Sequence, residues 1–598
     1  MAALPRFPVT LPLRGLALVV LCALYLLTGL IGHDPWKNED ALHFGVAYGL
    51  LNGGDWLVPQ LFGESVLEVP PLYYWVAAAC GRLFGWLLPL HDAIRLATGF
   101  FGALFLGFLI YASRTLLPPM AYSLGHKYPV SAHSDDFSMP MPQGHGYAKS
   151  NTNYGTGKRA SIDATALIAI GSLGLLIPIH DTQPLIALLA ASAAAYAGFA
   201  LILQRPLAGG VMAGLGIGLG FLAGGLTALT TLLPVLILLP FSRHWRSAAS
   251  LRGIAVTVAV AVPLCASWLL LLAWREPDML SAWLSHAANG LHYQNAWLHA
   301  LPDFVELLAW FAWPALPLAV WTLWLYRHQL DQPFVLLPLI GTVTALLTLL
   351  LIYEPRPNQA LPLLVPLILL ASVGASRLLR GAANAFDWFG MMTFTIVAGL
   401  IWLGGIAMTS GIPPQIAHNF AKLAPGFVAD FSPLAYASAA LASLAWLWLI
   451  FASPRSPWRA TTHWAAGTTL MWVLLMALWL PWIDYGKSYR GVSSSLMQTL
   501  QSLPQTRFRQ NEFGKPETWI AQRTCIAGRD IGNAQRVSLQ YFTGIVTLPE
   551  DSLAARTCSL LLEQGSAQDK TKRPGWRKIW EGHRPGDRSE RLRLYQRE

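Results

Sequence analysis

Charge is what this sequence has least of. Only 12% of its 598 residues are Asp, Glu, Lys or Arg, while 54% are hydrophobic, and the mean hydropathy is +0.45. A folded chain of this length needs far more charge to cover a wet surface, so a soluble globular protein is excluded. Cysteine is also scarce. Cys22, Cys80 and Cys265 fall in apolar runs, Cys525 and Cys558 lie in a polar tail, and none has zinc-ligand spacing. A nucleotide-binding loop is missing as well: Gly155-Thr156-Gly157-Lys158 lacks the leading Gly spacing and the following Ser/Thr of a P-loop. No internal repeat is evident, which argues against an inverted-repeat transporter. The first apolar run, Leu11–Ile31, follows Arg6 and Arg14 without a small-residue cleavage site, so it reads as an uncleaved anchor.

What is present is a series of long apolar runs, each near the roughly 20 residues that a bilayer span needs. They lie near 11–32, 93–113, 164–179, 183–203, 206–223, 226–241, 253–272, 303–325, 333–352, 359–376, 388–408, 431–452 and 460–482. The expectation is a polytopic α-helical membrane protein of about thirteen transmembrane helices. The basic loops Arg243–Arg246, Arg327, Arg377/Arg380 and Arg455/Arg459 all fall inside if Arg6 and Arg14 are cytoplasmic and Pro70–Leu90 does not span. That segment then reads as a helix lying in the interface. The same parity places three loops outside, near 33–92, 273–302 and 354–359, together with His180-Asp181 and the tail from 484.

Two domains follow: residues 1–483 in the membrane and a small periplasmic α/β domain over 484–598. In the second, Val492–Leu503 reads as helix, and Thr518–Ile526, Ile545–Leu548 and Arg591–Tyr595 as strands. The tail holds about 19 Lys/Arg against about 12 Asp/Glu, roughly +7 of the chain's net +10. Such a surface is either simply solvated or suited to anionic head groups and sugar phosphates; nucleic acid is excluded as a partner outside the cytoplasm. Cys525 and Cys558 are placed to pair in an oxidising compartment. Residues 118–163, rich in Gly, Ser, Pro and His, read as a flexible cytoplasmic loop.

The chemistry concentrates in the first outer loop. It runs Asn38-Glu39-Asp40-Ala41, then Gly54-Asp55-Trp56, then Gly63-Glu64, then Leu67-Glu68-Val69-Pro70-Pro71-Leu72-Tyr73-Tyr74-Trp75. Acids, turn residues and aromatics beside a membrane can hold a carboxylate base next to a lipid head group. This pattern resembles the bacterial lipid A aminoarabinose transferases and the protein O-mannosyltransferases of the GT-C glycosyltransferase class. Their first outer loop carries an acidic pair, a Gly-Asp-Trp and a Leu-Glu-Lys-Pro-Pro-Leu-Tyr-Tyr-Trp run.

The resemblance implies a GT-C-like fold at the inner membrane and a sugar donor on a polyprenyl phosphate. It implies transfer at the periplasmic face to a lipid A, glycan or protein acceptor. Glu39, with Asp40, falls at the family's first-loop carboxylate, in the role of orienting or deprotonating the acceptor. Asp181 falls at its second acid, where it positions acceptor or sugar, or else caps the next helix. Asp55, Glu68, Tyr73, Tyr74, Arg95, His286 and Arg356 are further substrate-binding candidates. The aromatics either stack on substrate or anchor in the interface. Glu68 and His286 are candidate ligands of a divalent metal, or polar loop residues.

This chain departs from the pattern at three cations: the Arg after the acidic pair is Leu42, the Lys before Pro-Pro is Val69, and a Lys between two later helices falls at Gly224-Gly225. Either the donor differs or other residues pair with its phosphate, the candidates being Lys37, His43, Arg95, His286, His292 and Arg356. Arg356 either meets phosphate or snorkels at the interface. The lost cations leave a second expectation, a non-catalytic lipid-binding or lipid-flipping protein of the same fold.

Overall fold

The computed structural model describes residues 10–36, 39–66, 69–117, 155–290, 297–352, 356–503, 525–569, 573–587 and 589–598. The helices are α1 (Leu16–Leu27), α2 (Glu39–Leu51), α3 (Leu72–Phe84), α4 (Leu90–Leu116), α5 (Gly155–Gly171), α6 (Leu185–Leu201) and α7 (Pro206–Gly224). They continue with α8 (Leu226–Leu238), α9 (Ala248–Arg275), α10 (Pro277–Gly290), α11 (Trp297–Phe311), α12 (Ala315–Leu325), α13 (Pro333–Leu351) and α14 (Pro357–Gly374). Then come α15 (Arg380–Ser410), α16 (Pro414–Leu423), α17 (Pro433–Ala452), α18 (Arg459–Leu474), α19 (Leu480–Lys487), α20 (Arg490–Ser502) and α21 (Asn533–Thr543).

Among the described residues, eight helical segments are long and apolar enough to cross a bilayer. A ninth arises if Leu301–Phe311 and Ala315–Leu325, bent by 92° at their break, count as one span. Four further apolar helices are shorter. The helix α5 begins at Gly155, nine residues before the expected start of its span. Its first turn absorbs Gly155–Lys158, which the sequence reading placed in a loop; residues 118–154 of that loop lie outside the described residues.

Small residues let the membrane helices approach closely. An added Cβ at Gly198 of α6 would lie 2.3 Å from the Ala213 backbone of α7, and one at Gly210 of α7 would lie 2.3 Å from the Gly253 carbonyl of α9. Lipid tails are as apolar as side chains, so dispersion at such backbone contacts drives helix association. The shared core runs from Tyr25 through Phe105, Ile168, Tyr196 and Phe311 to Leu364.

The stretch between α1 and α4, read above as the first outer loop, is part helix and part hairpin among its described residues. Two helices, α2 and α3, flank a two-stranded hairpin, β1 (Gln60–Leu61) and β2 (Glu64–Ser65). The segment read as interfacial contains the 13-residue α3, whose buried face carries Tyr73, Tyr74, Ala77, Ala78 and Gly81.

The C-terminal domain is built on a five-stranded sheet. Its strands are β3 (Ile526–Arg529), β4 (Leu548–Pro549), β5 (Leu560–Ser566), β6 (Trp576–Gly582) and β7 (Glu590–Arg597), in the order β4-β3-β5-β7-β6. The β3 strand pairs in parallel with β4 and β5, while β7 runs antiparallel to β5 and β6. The strand expected over Thr518–Ile526 is seen from Ile526 onward, its earlier residues lying outside the described ones. The strands β5 and β6 and the helix α21 escaped the sequence reading, because charge interrupts the alternation of Trp576–Gly582 and α21 is polar apart from a few contacts. Cys525 and Cys558 form a disulfide, with Cα atoms 5.0 Å apart.

Candidate active site

Glu39 and Asp40 open α2, where helix N-terminal amides favour negative charge. Their roles then diverge with burial. Asp40 is 2% exposed, and both of its oxygens are engaged. Arg95 Nη2 donates to Oδ2 at 3.1 Å, and the Trp36 amide donates to the same oxygen at 3.0 Å. The Thr182 amide donates to Oδ1 at 2.8 Å, with Arg95 Nε 3.4 Å away. Burial alone would raise its pKa, but Arg95, His33 and the Thr182 bonds override it, so the carboxyl lies well below the usual range. Asp40 is therefore a permanent anion tying three segments together.

Its bond to Thr182 has a consequence for Asp181, which it brings beside the start of α2. Asp181 does not cap α6, whose N-cap is Pro184. Its carboxyl is pushed up to about 7, first by burial and then by the charge on Asp40, with Arg95 and Lys487 opposing.

Glu39 is the accessible acid. Its side chain is 48% exposed, and Oε2 is 2.9 Å from His43 Nε2, one helical turn on. The other ring nitrogen of His43 is 2.8 Å from the Tyr74 hydroxyl of α3. The His43 hydrogen bond, with the charge of Arg356, holds Glu39 below its ordinary pKa. Glu39 is thus ionised at neutral pH and aimed by a buried His–Tyr pair. Glu39, Asp181, Arg356 and Lys487 form one electrostatic group: Glu39 acts on Asp181, Arg356 on Glu39, and Lys487 on Asp181.

The three apolar substitutions are packed in place. Val69 is buried in the core, with Leu42 packed against it. Gly225 turns the chain from α7 to α8 at φ +56°, with Pro70 and Trp283 each 3.5 Å from where a Cβ would sit. Arg95 is fully buried and committed: besides Asp40 it bonds Asp92 Oδ1 at 3.0 Å and the carbonyls of Leu30 and His33. Two cations reach the group by other routes. Arg356 is the N-cap residue of α14 and is exposed. Lys487 ends α19, its Nζ 4.3 Å from the centre of the Trp36 ring.

The remaining candidates lie elsewhere or outside the described residues. Asp55 accepts the Leu57 amide at 2.7 Å and pairs with Arg275 of α9 at 3.1 Å. Tyr73 bonds Thr98 at 2.6 Å in the core. His286 is exposed on α10. Lys37, Glu68 and His292 are outside the described residues, among which no group of three or more His, Cys, Asp or Glu could hold a metal.

Sequence reasoning missed a clamp beside this group. The Asp34 carboxylate accepts from Ser488 Oγ at 2.6 Å and from Arg490 Nε at 2.9 Å, with Arg490 Nη2 on its other oxygen. Asp484 Oδ1 in turn accepts the Asp34 amide at 2.9 Å and Trp36 Nε1 at 2.8 Å. Tyr541 of α21 meets His91 Nδ1 at 2.9 Å and packs on Phe44 and Tyr48. The only advance signal was an acid and a base, Asp484 and Lys487, closing the last apolar run. A cavity of about 1060 Å³ adjoins this clamp, touching Asp34, Asp484 and Arg490 but neither Glu39 nor Asp181.

The geometry can be set beside known proteins. Over 432 residues the chain is 26% identical to the undecaprenyl phosphate-alpha-4-amino-4-deoxy-L-arabinose arabinosyl transferase of Edwardsiella ictaluri (strain 93-146), covering 69% of each. Over 492 residues it is 24% identical to the enzyme of that name from Serratia proteamaculans (strain 568), covering 78% of this chain and 76% of that one. The chain resembles the lipid A aminoarabinose transferases. Its fold is theirs: ArnT from Cupriavidus metallidurans, solved bound to undecaprenyl phosphate, superposes with a TM-score of 0.62 at 14% identity, over 96% of this chain and 97% of that one. No family model matches the chain.

Proposed function

We propose that the chain is an inner-membrane glycosyltransferase that moves an aminopentose such as 4-amino-4-deoxy-arabinose from undecaprenyl phosphate to lipid A at the periplasmic face. The observation that carries this reading is Glu39: a half-exposed, ionised carboxylate aimed by His43 and Tyr74, in one electrostatic group with Asp181, Arg356 and Lys487. An acceptor oxygen bonds the anomeric carbon as that carbon's bond to the phosphate oxygen breaks. The electron pair leaves on undecaprenyl phosphate, and Glu39 takes the acceptor proton. Lys487 and Arg356 supply the cations that balance the phosphate, in place of those lost at Leu42, Val69 and Gly224-Gly225. Asp181, poised near neutrality, positions the acceptor or the sugar.

Thirteen spans follow if the eight long helices, the bent pair and the four shorter apolar helices all cross. The inside placement of the basic loops then puts the site and the C-terminal domain outside, and the Cys525–Cys558 disulfide suits that compartment.

The test is purified protein in lipid nanodiscs given undecaprenyl-phosphate aminoarabinose and lipid A. The expected products are free undecaprenyl phosphate and lipid A heavier by one aminoarabinose. Tight donor binding with no transfer would overturn the enzymatic reading in favour of a lipid-binding or lipid-flipping protein, to which the packed Val69 and Leu42 lend support.

A further inference from the structure

The C-terminal sheet has two faces, because alternate strand residues point to opposite sides. Ile526, Leu560, Leu562, Leu592 and Leu594 pack on one side with Val492, Leu496, Leu500 and Leu539 from α20 and α21. Ala527, Leu561 and Tyr595 face the other way, beside the Cys525–Cys558 disulfide and Trp576. That second face holds a concave site of about 620 Å³ whose lining includes Arg529, Arg556, Arg573, Arg597 and Trp576.

Two of these four guanidinium groups are neutralised: Arg529 by Glu550 at 3.0 Å, and Arg573 by Glu563, with Nε on Oε2 at 2.8 Å. Among the described residues, Arg556 and Arg597 have no carboxylate partner. They are nonetheless held together, since Arg597 Nη1 donates to the Arg556 carbonyl at 3.2 Å. Arg597 also lies 5.8 Å from the centre of the Trp576 ring. Two unbalanced cations in one concavity repel each other, and an anion of charge near −2 relieves that. A phosphate monoester carries about −1.5 to −2 near neutral pH and accepts in the plane of a guanidinium fork. The indole offers an apolar face for a pyranose ring. The disulfide pins both margins of the site: Cys558 is two residues from Arg556, and Cys525 four from Arg529. The concavity is thereby pre-organised, which lowers the entropic cost of binding.

We infer that this face is a binding site for a sugar bearing a phosphate monoester, separate from the site at Glu39 and independent of the reading given to it. Arg556 and Arg597 hold the phosphate, and Trp576 takes the sugar ring. The ligand is either a soluble sugar phosphate or the phosphosugar head group of a membrane glycolipid.

The test uses the full chain in phosphatidylcholine nanodiscs and follows phosphorus-31 line broadening. One arm titrates glucose 1-phosphate, with glucose as an unlabelled competitor. A second presents nanodiscs that also contain monophosphorylated lipid A. Saturable broadening in the first arm that the double variant Arg556→Gln/Arg597→Gln weakens identifies a soluble ligand. Saturation in the second alone that this variant weakens identifies a head group, since lipid A held as acceptor at Glu39 is untouched by it. In either case Arg556→Gln/Arg597→Gln weakens binding by about 10-fold or more, since each lost bond to a charged group costs on that order. Trp576→Ala weakens the sugar phosphate more than inorganic phosphate. Both arginines are exposed, so the double variant retains its fold and its Cys525–Cys558 bond. Absence of saturation in both arms, or binding unchanged in the double variant, overturns the inference.

Discussion

Glu39 and Asp40 are adjacent and chemically similar, yet their surroundings assign them opposite work. Asp40 has both oxygens taken by Arg95 and backbone amides, whereas Glu39 keeps an exposed carboxylate backed by one histidine. Glu39→Gln is therefore expected to lower kcat by about 100-fold or more, the usual contribution of a general base, with donor affinity little changed. Asp40→Asn has a different signature: it leaves Arg95 buried beside a neutral amide, and its first effect is on folding, read as loss of monodisperse protein after extraction. His43→Phe separates aiming from chemistry, since kcat falls while Glu39 remains. A turnover rate at the level of the unsubstituted protein would show that the His43–Tyr74 pair has no part in orienting the carboxylate.

Asp181 provides a pH test at the same scale. Its folded-state pKa is raised from 3.8 to about 7, so between those values the folded chain binds more protons than the unfolded one. Stability from this group is full below about pH 4 and is lost as pH rises through 7. Asp181→Asn removes that loss. Thermal unfolding should show the variant gaining over the parent at about pH 8 and not at about pH 4, and an equal gain at both would refute the assignment.

At the scale of elements, α6, α7 and α9 pack closely through small residues, with α9 at the edge of the helix array. Gly210 and Gly253 lie across from each other, and a Cβ on either meets backbone: 2.3 Å to the Gly253 carbonyl in one direction, 2.6 Å to the Pro206 carbonyl in the other. Backbone cannot rotate out of the way as a side chain can. Gly210→Leu is expected to cost about 1–3 kcal/mol or more by separating α7 from α9. The readout is a lower unfolding temperature in detergent. Gly107→Leu, with open space beside it, is the control and should be nearly neutral.

At the scale of the whole molecule, the C-terminal domain braces the segment that carries Glu39 and Asp40. Asp34 is buried against Ser488 and Arg490, Asp484 grips the Asp34 amide and the Trp36 ring, and Tyr541 sits on α2. Arg490→Ala should raise amide exchange over both Trp36–Phe44 and α20, and should lower kcat through Lys487 more than it raises KM. Exchange confined to α20 would show that the loop is held without the domain.

The apolar helices and the pairing of the tail cysteines were legible in the sequence, because each depends on composition. Bilayer solvation acts on every long apolar segment alike, and a helix start favours acids wherever it falls. The division of labour between Glu39 and Asp40 was not legible. It depends on Thr182 and Arg95, which lie 142 and 55 residues away from Asp40. Arg356 was already a candidate from the sequence, but spacing could not show that its charge acts on Glu39, or that Lys487 acts on Asp181. Charges act through space, and only the tertiary fold, which brings α19 against Asp34 and Trp36, determines which of them meet.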